Sequence, residues 1–242
     1  MVEGFGGKVG FVSENYGESK LAKRFGVKRY PAIFVDDVLV ATPNDFGFYG
    51  RGEEGEARSG GRYAPIRSAA SQERFRADLQ RMIGLILAGR KDAARAQAAP
   101  AKEGEIPAFP AVRLTDLDGR TLTRKDLAGR VVLVEFWATW CLPCRGTLSW
   151  LGEVKKRYGD RLAVVTVAVE SEEAGIRQRA AELKLPFAWV KGTPEIGRAF
   201  GDVSAVPTLL MFDRQGHTAG AYFGAPPNLH KEAETKLASL LK

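Results

Sequence analysis

Histidine and cysteine are the scarce residues of this 242-residue chain, with two of each. A structural zinc site normally takes four protein ligands from those residue types. Here His217 and His230 stand far apart, without the spacing of a second ligand pair, so no metal site is expected. Long apolar runs are also missing. The best candidate, MIGLILAG from Met82 to Gly89, is far short of the roughly 18 residues that cross a bilayer, so no membrane segment is expected. The opening MVEGFGGKVGFV lacks the charged, then apolar, then small pattern of a secretory signal, although a signal removed upstream would leave the same start. No G-x-x-x-x-G-K-[ST] phosphate loop occurs, and the glycine-rich stretch at 46–63 reads as an insertion. The net charge of +7 is spread along the chain with acids interleaved. Nucleic-acid binders usually gather their basic residues into a patch or stripe, so none is expected as a partner.

What is present is ordinary globular composition, 45% hydrophobic and 27% charged. Residues 90–110, RKDAARAQAAPAKEGEIPAFP, are rich in alanine and proline and poor in large apolar side chains. That is linker composition with room for a fraying helix end at its start, and it divides the chain into domains at 1–90 and 106–242 joined by a linker at 91–105. In the second domain, VRLTDLDGRTLT alternates around Asp118-Gly119 as a hairpin, and VVLVEFW reads as a strand buried on both faces. A helix from Arg145, the strand LAVVTVAVE, the helix EEAGIRQRAAELK, the piece FAWV and the helix PEIGRAFG follow. The strand TLLMFD, a last strand and a closing helix capped by Asn228 complete an α/β layer fold with a mixed central sheet.

The first domain echoes the end of the second. SKLAKRFG and then GVKRYPAIFVDD parallel EIGRAFG and then AVPTLLMFDRQG: a helix closed by Phe-Gly, a proline, then an apolar strand ending in aspartate. SQERFRADLQRMIGLILAG supplies the closing helix. The expectation is a truncated, catalytically silent copy, without the strand and helix that would carry a cysteine pair.

Both cysteines fall in FWATWCLPC, as Cys141 and Cys144. A structural role is poorly served, because closing so short a loop removes little unfolded-state entropy. The alternative uses position. At a helix start, unpaired amides and the positive end of the dipole favour thiolate over thiol. An accessible Cys141 would attack a partner's disulfide, and Cys144, one turn inside, would resolve the mixed disulfide. Trp140 and Pro143 would shape the rim and stiffen the turn. Glu135, an acid inside the apolar strand, either reaches an edge or a basic partner, or sits buried with a raised pKa as proton acceptor for Cys144.

FWATWCLPC resembles the active-site strand and loop of the thioredoxin superfamily, and TDLDGRTLTRKDLAGRVVLVEFWATWC looks like its TlpA- and ResA-like thiol:disulfide oxidoreductases. The resemblance runs from about Ile106 to Lys242 and includes Val206-Pro207-Thr208. It implies a thioredoxin fold preceded by a second, partial thioredoxin-like domain. It implies a cis Pro207 against the cysteine pair, with Val206 and Thr208 receiving substrate, and a proton-relay role for Glu135. It also implies an enzyme that exchanges disulfides with disulfide-bearing or dithiol proteins, takes electrons from an upstream thiol donor and holds no bound cofactor. Relatives work in the periplasm or cell envelope, which is the location expected here; a cytoplasmic one stays open. Peroxide reduction is disfavoured because Ala138 stands where peroxiredoxins carry threonine, and the copper-chaperone spacing with its histidine is absent. The RGTLSWL sequence lacks the proline that relatives often carry soon after the second cysteine, which leaves the helix orientation open. A non-catalytic scaffold with the same fold is the competing reading.

Overall fold

The computed structural model describes residues 2–15, 18–27, 32–41, 69–97, 106–201, 203 and 205–242. The chain divides into two units, Met1–Glu103 and Gly104–Lys242.

In the first unit a short 3-10 turn, Val2–Phe5, precedes helix α1, Lys20–Arg24. Ser19 caps α1 by accepting from the Ala22 amide at 2.7 Å, and Glu14 accepts from the Ser19 hydroxyl and the Leu21 amide. Those bonds to its charged form hold the Glu14 carboxyl below the usual range. Strands β1, Ile33–Val35, and β2, Val38–Ala41, pair antiparallel across Asp36 and Asp37, with Asp36 in the left-handed region at φ 55°. Helices α2, Ala69–Leu87, and α3, Lys91–Gln97, follow among the described residues of the unit.

Helix α3 occupies 91–97, the start of the expected linker at 91–105, and is packed where a fraying end was expected. Its Ala94 is fully buried in one core with Val38, Val40, Leu79 and Met82. The alanine that reads as linker composition is the small, strongly helix-forming residue that lets α3 approach this core. Lys91 and Arg95 reach Asp36 and Asp37 at 2.6 to 3.0 Å, although such exposed pairs add little stability.

In the second unit, β3, Leu114–Thr115, and β4, Thr121–Leu122, form the expected hairpin, with Gly119 at φ 80° in its turn. Helix α4, Arg124–Leu127, follows. Then come β5, Val131–Trp137; α5, Leu142–Tyr158; β6, Leu162–Ala168; and α6, Glu173–Leu183. The chain closes with β7, Ala188–Lys191; α7, Pro194–Ala199; β8, Thr208–Phe212; β9, Thr218–Phe223; and α8, Leu229–Leu240.

The sheet order is β7-β6-β5-β8-β9, with β7, β6 and β5 parallel, β8 antiparallel to β5, and β9 antiparallel to β8. This mixed sheet is the thioredoxin arrangement that the resemblance implies. Every residue of β5 and β6 is buried, which explains why both read as unbroken apolar runs. Asn228 occupies the N-cap position of α8 but makes no capping bond; its amide donates to Glu232 instead.

Register assigns side chains to faces, since residues opposite each other in a ladder share one. Val132, Val134 and Phe136 lie opposite Phe212, Leu210 and Thr208. That face carries the rings of Phe136, Phe212, Phe200 and Phe109, packed edge to face with centroids 5.2 to 6.3 Å apart. Leu133, Glu135 and Trp137 belong to the other face, with Thr166, Leu209, Trp189 and Tyr222. Tyr222 senses the charge of Glu232 on α8, and α8 joins α5 through the stacked rings of His230 and Trp150, 5.0 Å apart. Helices α5 and α8 therefore cover the face that contains Glu135.

The end of this unit and the first unit share one chain order. Phe25 and Phe200 each close a short helix, their amides bonding back to Leu21 and Ile196, and Gly26 and Gly201 follow at φ 64° and 78°. Among the described residues a hairpin and a long helix come next in both. Pro31, at the position matching Pro207, and the glycine-rich 46–63 stretch lie outside the described residues.

Candidate active site

The buried strand β5 ends at Trp137, and four residues later the chain enters α5. Cys141 is the N-cap, with extended backbone at φ −80° and ψ 102°, and its Sγ accepts from the Cys144 amide at 3.3 Å. Pro143 sits at the second helical position, where a missing N–H leaves no intrahelical bond unmade. Helix α5 runs unbroken for 17 residues. Cys144, Thr147, Leu148 and Leu151 form its buried stripe. The two sulfurs are joined as a disulfide with Cα atoms 5.4 Å apart.

The accessibility of the pair differs from expectation. Cys144 is fully buried, and Cys141 retains only 5% exposure. The exposed surface belongs to its neighbours, Trp140 at 58% and Leu142 at 71%, with Pro143 also exposed. Leu142 was not among the expected rim residues, because the residue between cysteine and proline has no pattern that predicts its direction.

Glu135 is wholly buried, and neither carboxylate oxygen has a hydrogen-bond partner among the described residues. It reaches neither an edge nor a cation. Burial alone pushes its pKa well above the ordinary carboxylate range. It lies opposite Leu209 in β8 and on the sheet face that α5 covers.

The Val206–Pro207 bond is cis. Because β8 runs antiparallel to β5 with Thr208 opposite Phe136, the 206–208 segment lies at the same end of the sheet as the start of α5. Ala205, Pro207 and Thr208 are buried and Val206 is half-buried. The Thr208 hydroxyl donates to the Ala205 carbonyl at 2.9 Å, and the Pro207 carbonyl accepts from the Gly224 amide at 2.7 Å. The topology thus gathers Glu135, Trp140, Cys141, Pro143, Cys144 and 206–208 at one end of the sheet. The two histidines are elsewhere, His217 in the turn before β9 and His230 stacked on Trp150.

One part of the site gives no sequence signal. The segment after β6, Val169 to Ser171, hydrogen bonds the loop that leads to Cys141. A lone serine after a strand is too common a pattern to mark it.

The Redoxin family profile matches residues 102–237, more than half of the chain. Over 115 residues the chain is 32% identical to the thiol-disulfide oxidoreductase ResA of Bacillus cereus, covering 46% of this chain and 65% of ResA, slightly under two thirds of that relative. Over 131 residues it is 33% identical to the thioredoxin-like protein YneN of Bacillus subtilis, covering 53% of this chain and 75% of YneN. In fold it is similar to the crystal structure of a thiol:disulfide interchange protein of the thioredoxin family from Chlorobium tepidum. That likeness has a TM-score of 0.51 at 23% identity, covering 57% of this chain and 99% of the other. Since the family match spans every strand of the five-stranded sheet and the loop that carries both cysteines, the chain belongs to the Redoxin family and is a TlpA/ResA-like member of the thioredoxin superfamily.

Proposed function

We propose that the chain is a thiol:disulfide oxidoreductase that exchanges disulfides with partner proteins through Cys141 and Cys144. The observation that carries this reading is the position of Cys141 Sγ at the N-cap of α5, accepting an amide hydrogen bond, with Cys144 buried one turn inside. A thiolate is favoured where helix amides converge.

In the reducing direction, the Cys141 thiolate attacks one sulfur of a partner's disulfide. An S–S bond forms to Cys141 while the partner's bond breaks, releasing one thiolate. Cys144 gives its proton to Glu135 in the ionised state of that carboxylate, whose affinity for a proton is raised by burial. The Cys144 thiolate then attacks Cys141 Sγ, releasing the partner's second thiolate and leaving the intramolecular disulfide. The partner gains two electrons, and an upstream dithiol donor returns them to the chain. No bound cofactor takes part.

Trp140 and Pro143 form the rim that a partner meets, and Val206 and Thr208, flanking Pro207, receive the partner's backbone. The exposure of Trp140 supports this arrangement, as does the half-buried Val206 at the same sheet end. Residues 1–90 act as a degenerate thioredoxin-like copy without cysteines, a reading supported by the shared order of helix, Phe-Gly, hairpin and long helix. The location proposed is the periplasm or cell envelope, and no helix among the described residues is long and apolar enough to cross a membrane.

Reduction of a disulfide-bonded protein such as insulin, with Cys141→Ser beside the unsubstituted chain, tests the reading. Loss of turnover is expected. Unchanged turnover would leave the scaffold reading in its place.

A further inference from the structure

Trp137, Thr139 and Trp140, ahead of Cys141, are held by a loop that contributes nothing to the disulfide itself. After β6 the chain turns through Val169, Glu170 and Ser171. The Val169 amide donates to the Trp137 carbonyl at 2.8 Å, tying the two strand ends together. Ser171 is buried, and its hydroxyl serves three partners. It accepts from the Thr139 amide at 2.9 Å, contacts the Thr139 hydroxyl at 3.2 Å, and donates to the Val169 carbonyl at 2.9 Å. One donor and two acceptor sites are the full capacity of a hydroxyl, so this group is saturated.

Glu170 takes φ 45°, a left-handed conformation uncommon for a residue with a side chain. Its carbonyl accepts from the Trp140 indole N–H at 3.3 Å, while the indole stays more than half exposed. From the other side, Gly175 in the first turn of α6 lies so close that an added Cβ would stand 3.2 Å from Thr139 Cγ2. Thr139 and Trp140 are thus gripped by hydrogen bonds and by close packing, immediately before the N-cap cysteine.

We propose that Ser171 is a positioning residue for the exchange reaction: by fixing Thr139 it sets the backbone of Cys141, and with it the direction of Sγ toward the amides that begin α5. The Glu170 carbonyl performs the companion task for Trp140, presenting the indole to the partner instead of letting it fold over the sulfur. This inference rests on the disulfide-exchange reading of Cys141. When Ser171 is removed, the thiolate loses its fixed relation to its donors, the reduced state is less favoured, and attack slows.

The test uses the full chain with Ser171→Ala and Ser171→Thr. Two quantities are measured at pH 7. The first is the rate at which iodoacetamide alkylates Cys141 in the reduced protein. The second is the equilibrium of the pair with glutathione, in which two glutathione thiols become one disulfide as the protein disulfide opens. The alanine variant is expected to be alkylated at least fivefold more slowly. Its equilibrium should move about tenfold toward the protein disulfide, equivalent to about 30 mV for this two-electron couple. Threonine, which keeps the hydroxyl, should restore both to within twofold. Should the alanine variant fail to fold, Gly175→Ala presses on Thr139 with the hydroxyl intact and is expected to move both quantities in the same direction. An altered melting temperature with unchanged alkylation and equilibrium would overturn the proposal. Neither measurement involves a partner protein, so its failure stays distinct from retained turnover in Cys141→Ser, which would count against the exchange reading itself.

Discussion

The amide of Cys144 points at the sulfur of Cys141 across 3.3 Å, so one residue is both helix cap and half of the disulfide. The first turn of α5 contains no acid, and its last turn carries Lys155, Lys156 and Arg157, which complement the helix dipole from the far end. The Lys155 ammonium also donates to the Gly159 and Leu162 carbonyls at 2.8 Å. Burial pulls the Lys155 pKa down.

If the start of α5 is what activates Cys141, a negative charge placed there should blunt it. Arg145 is exposed in the first turn. Arg145→Glu is expected to slow alkylation of reduced Cys141 several-fold at low ionic strength, in line with dipole and charge effects of about 0.3–1 kcal/mol. The difference should shrink at 0.5 M salt, where screening is strong. A stopped-flow alkylation series at two salt concentrations checks both points, and equal rates at low salt would count against the helix-start mechanism.

Glu135 makes two predictions that separate its proton role from its packing. Glu135→Gln keeps the shape and removes the proton acceptor, so release of a mixed disulfide by Cys144 is expected to slow by at least ~10²-fold at neutral pH. Stability should respond with a definite sign. The unfolded carboxyl gives up its proton near the ordinary glutamate value, while burial keeps the folded one protonated to higher pH. Between those values the folded state binds more protons, so stability falls as pH rises, by up to ~1.4 kcal/mol per pH unit. The glutamine variant lacks this slope, and its melting temperature should gain on the unsubstituted chain as pH rises above the ordinary glutamate value, until the folded carboxyl ionises. Parallel curves would mean that folding does not raise the affinity of Glu135 for its proton.

The stack of His230 on Trp150 has the opposite pH dependence. Burial lowers the His230 pKa, and Glu153 and Glu234 only partly counter it. The folded state therefore binds the proton less readily than the unfolded chain, and this contribution is lost as pH falls below about 6.5. His230→Phe keeps a ring against Trp150 without the titration. It is expected to flatten the acid side of the thermal-stability profile between pH 7 and 5, and an unchanged acid slope would show that His230 does not contribute to it.

Helix α3 can be tested through Ala94, whose side chain is fully buried. Ala94→Glu introduces a charge that the site cannot solvate, a cost of several kcal/mol. Hydrogen exchange at the amides of Val38–Ala41 is expected to accelerate by at least tenfold in the variant. Unchanged protection there would return residues 91–97 to a linker role.

Much of the second unit can be read from its residues. VVLVEFW and LAVVTVAVE are unbroken apolar runs because both sheet faces are covered, and the two cysteines stand where one of those runs meets a helix. The cis Val206–Pro207 bond comes from resemblance, since a proline next to a strand does not declare its isomer. Helix α3 is hidden because KDAARAQ buries one small side chain, Ala94, and so looks like a linker until its core is seen. The Thr139–Ser171 contact spans 32 residues, and nothing local in either segment announces it. The low exposure of Cys141 is likewise set by folding, which turns Trp140 and Leu142 outward around the sulfur.

The order of the two sulfurs is the central claim, and covalent trapping tests it most directly. Cys141→Ser and Cys144→Ser proteins, each reduced, are mixed with a disulfide-bonded protein, and adducts are identified by intact-mass spectrometry and peptide mapping. The account predicts that Cys144→Ser accumulates a mixed disulfide at Cys141, because the resolving thiol is gone, while Cys141→Ser forms none. Adducts at Cys144 in the Cys141→Ser protein, formed as fast as those at Cys141, would contradict it.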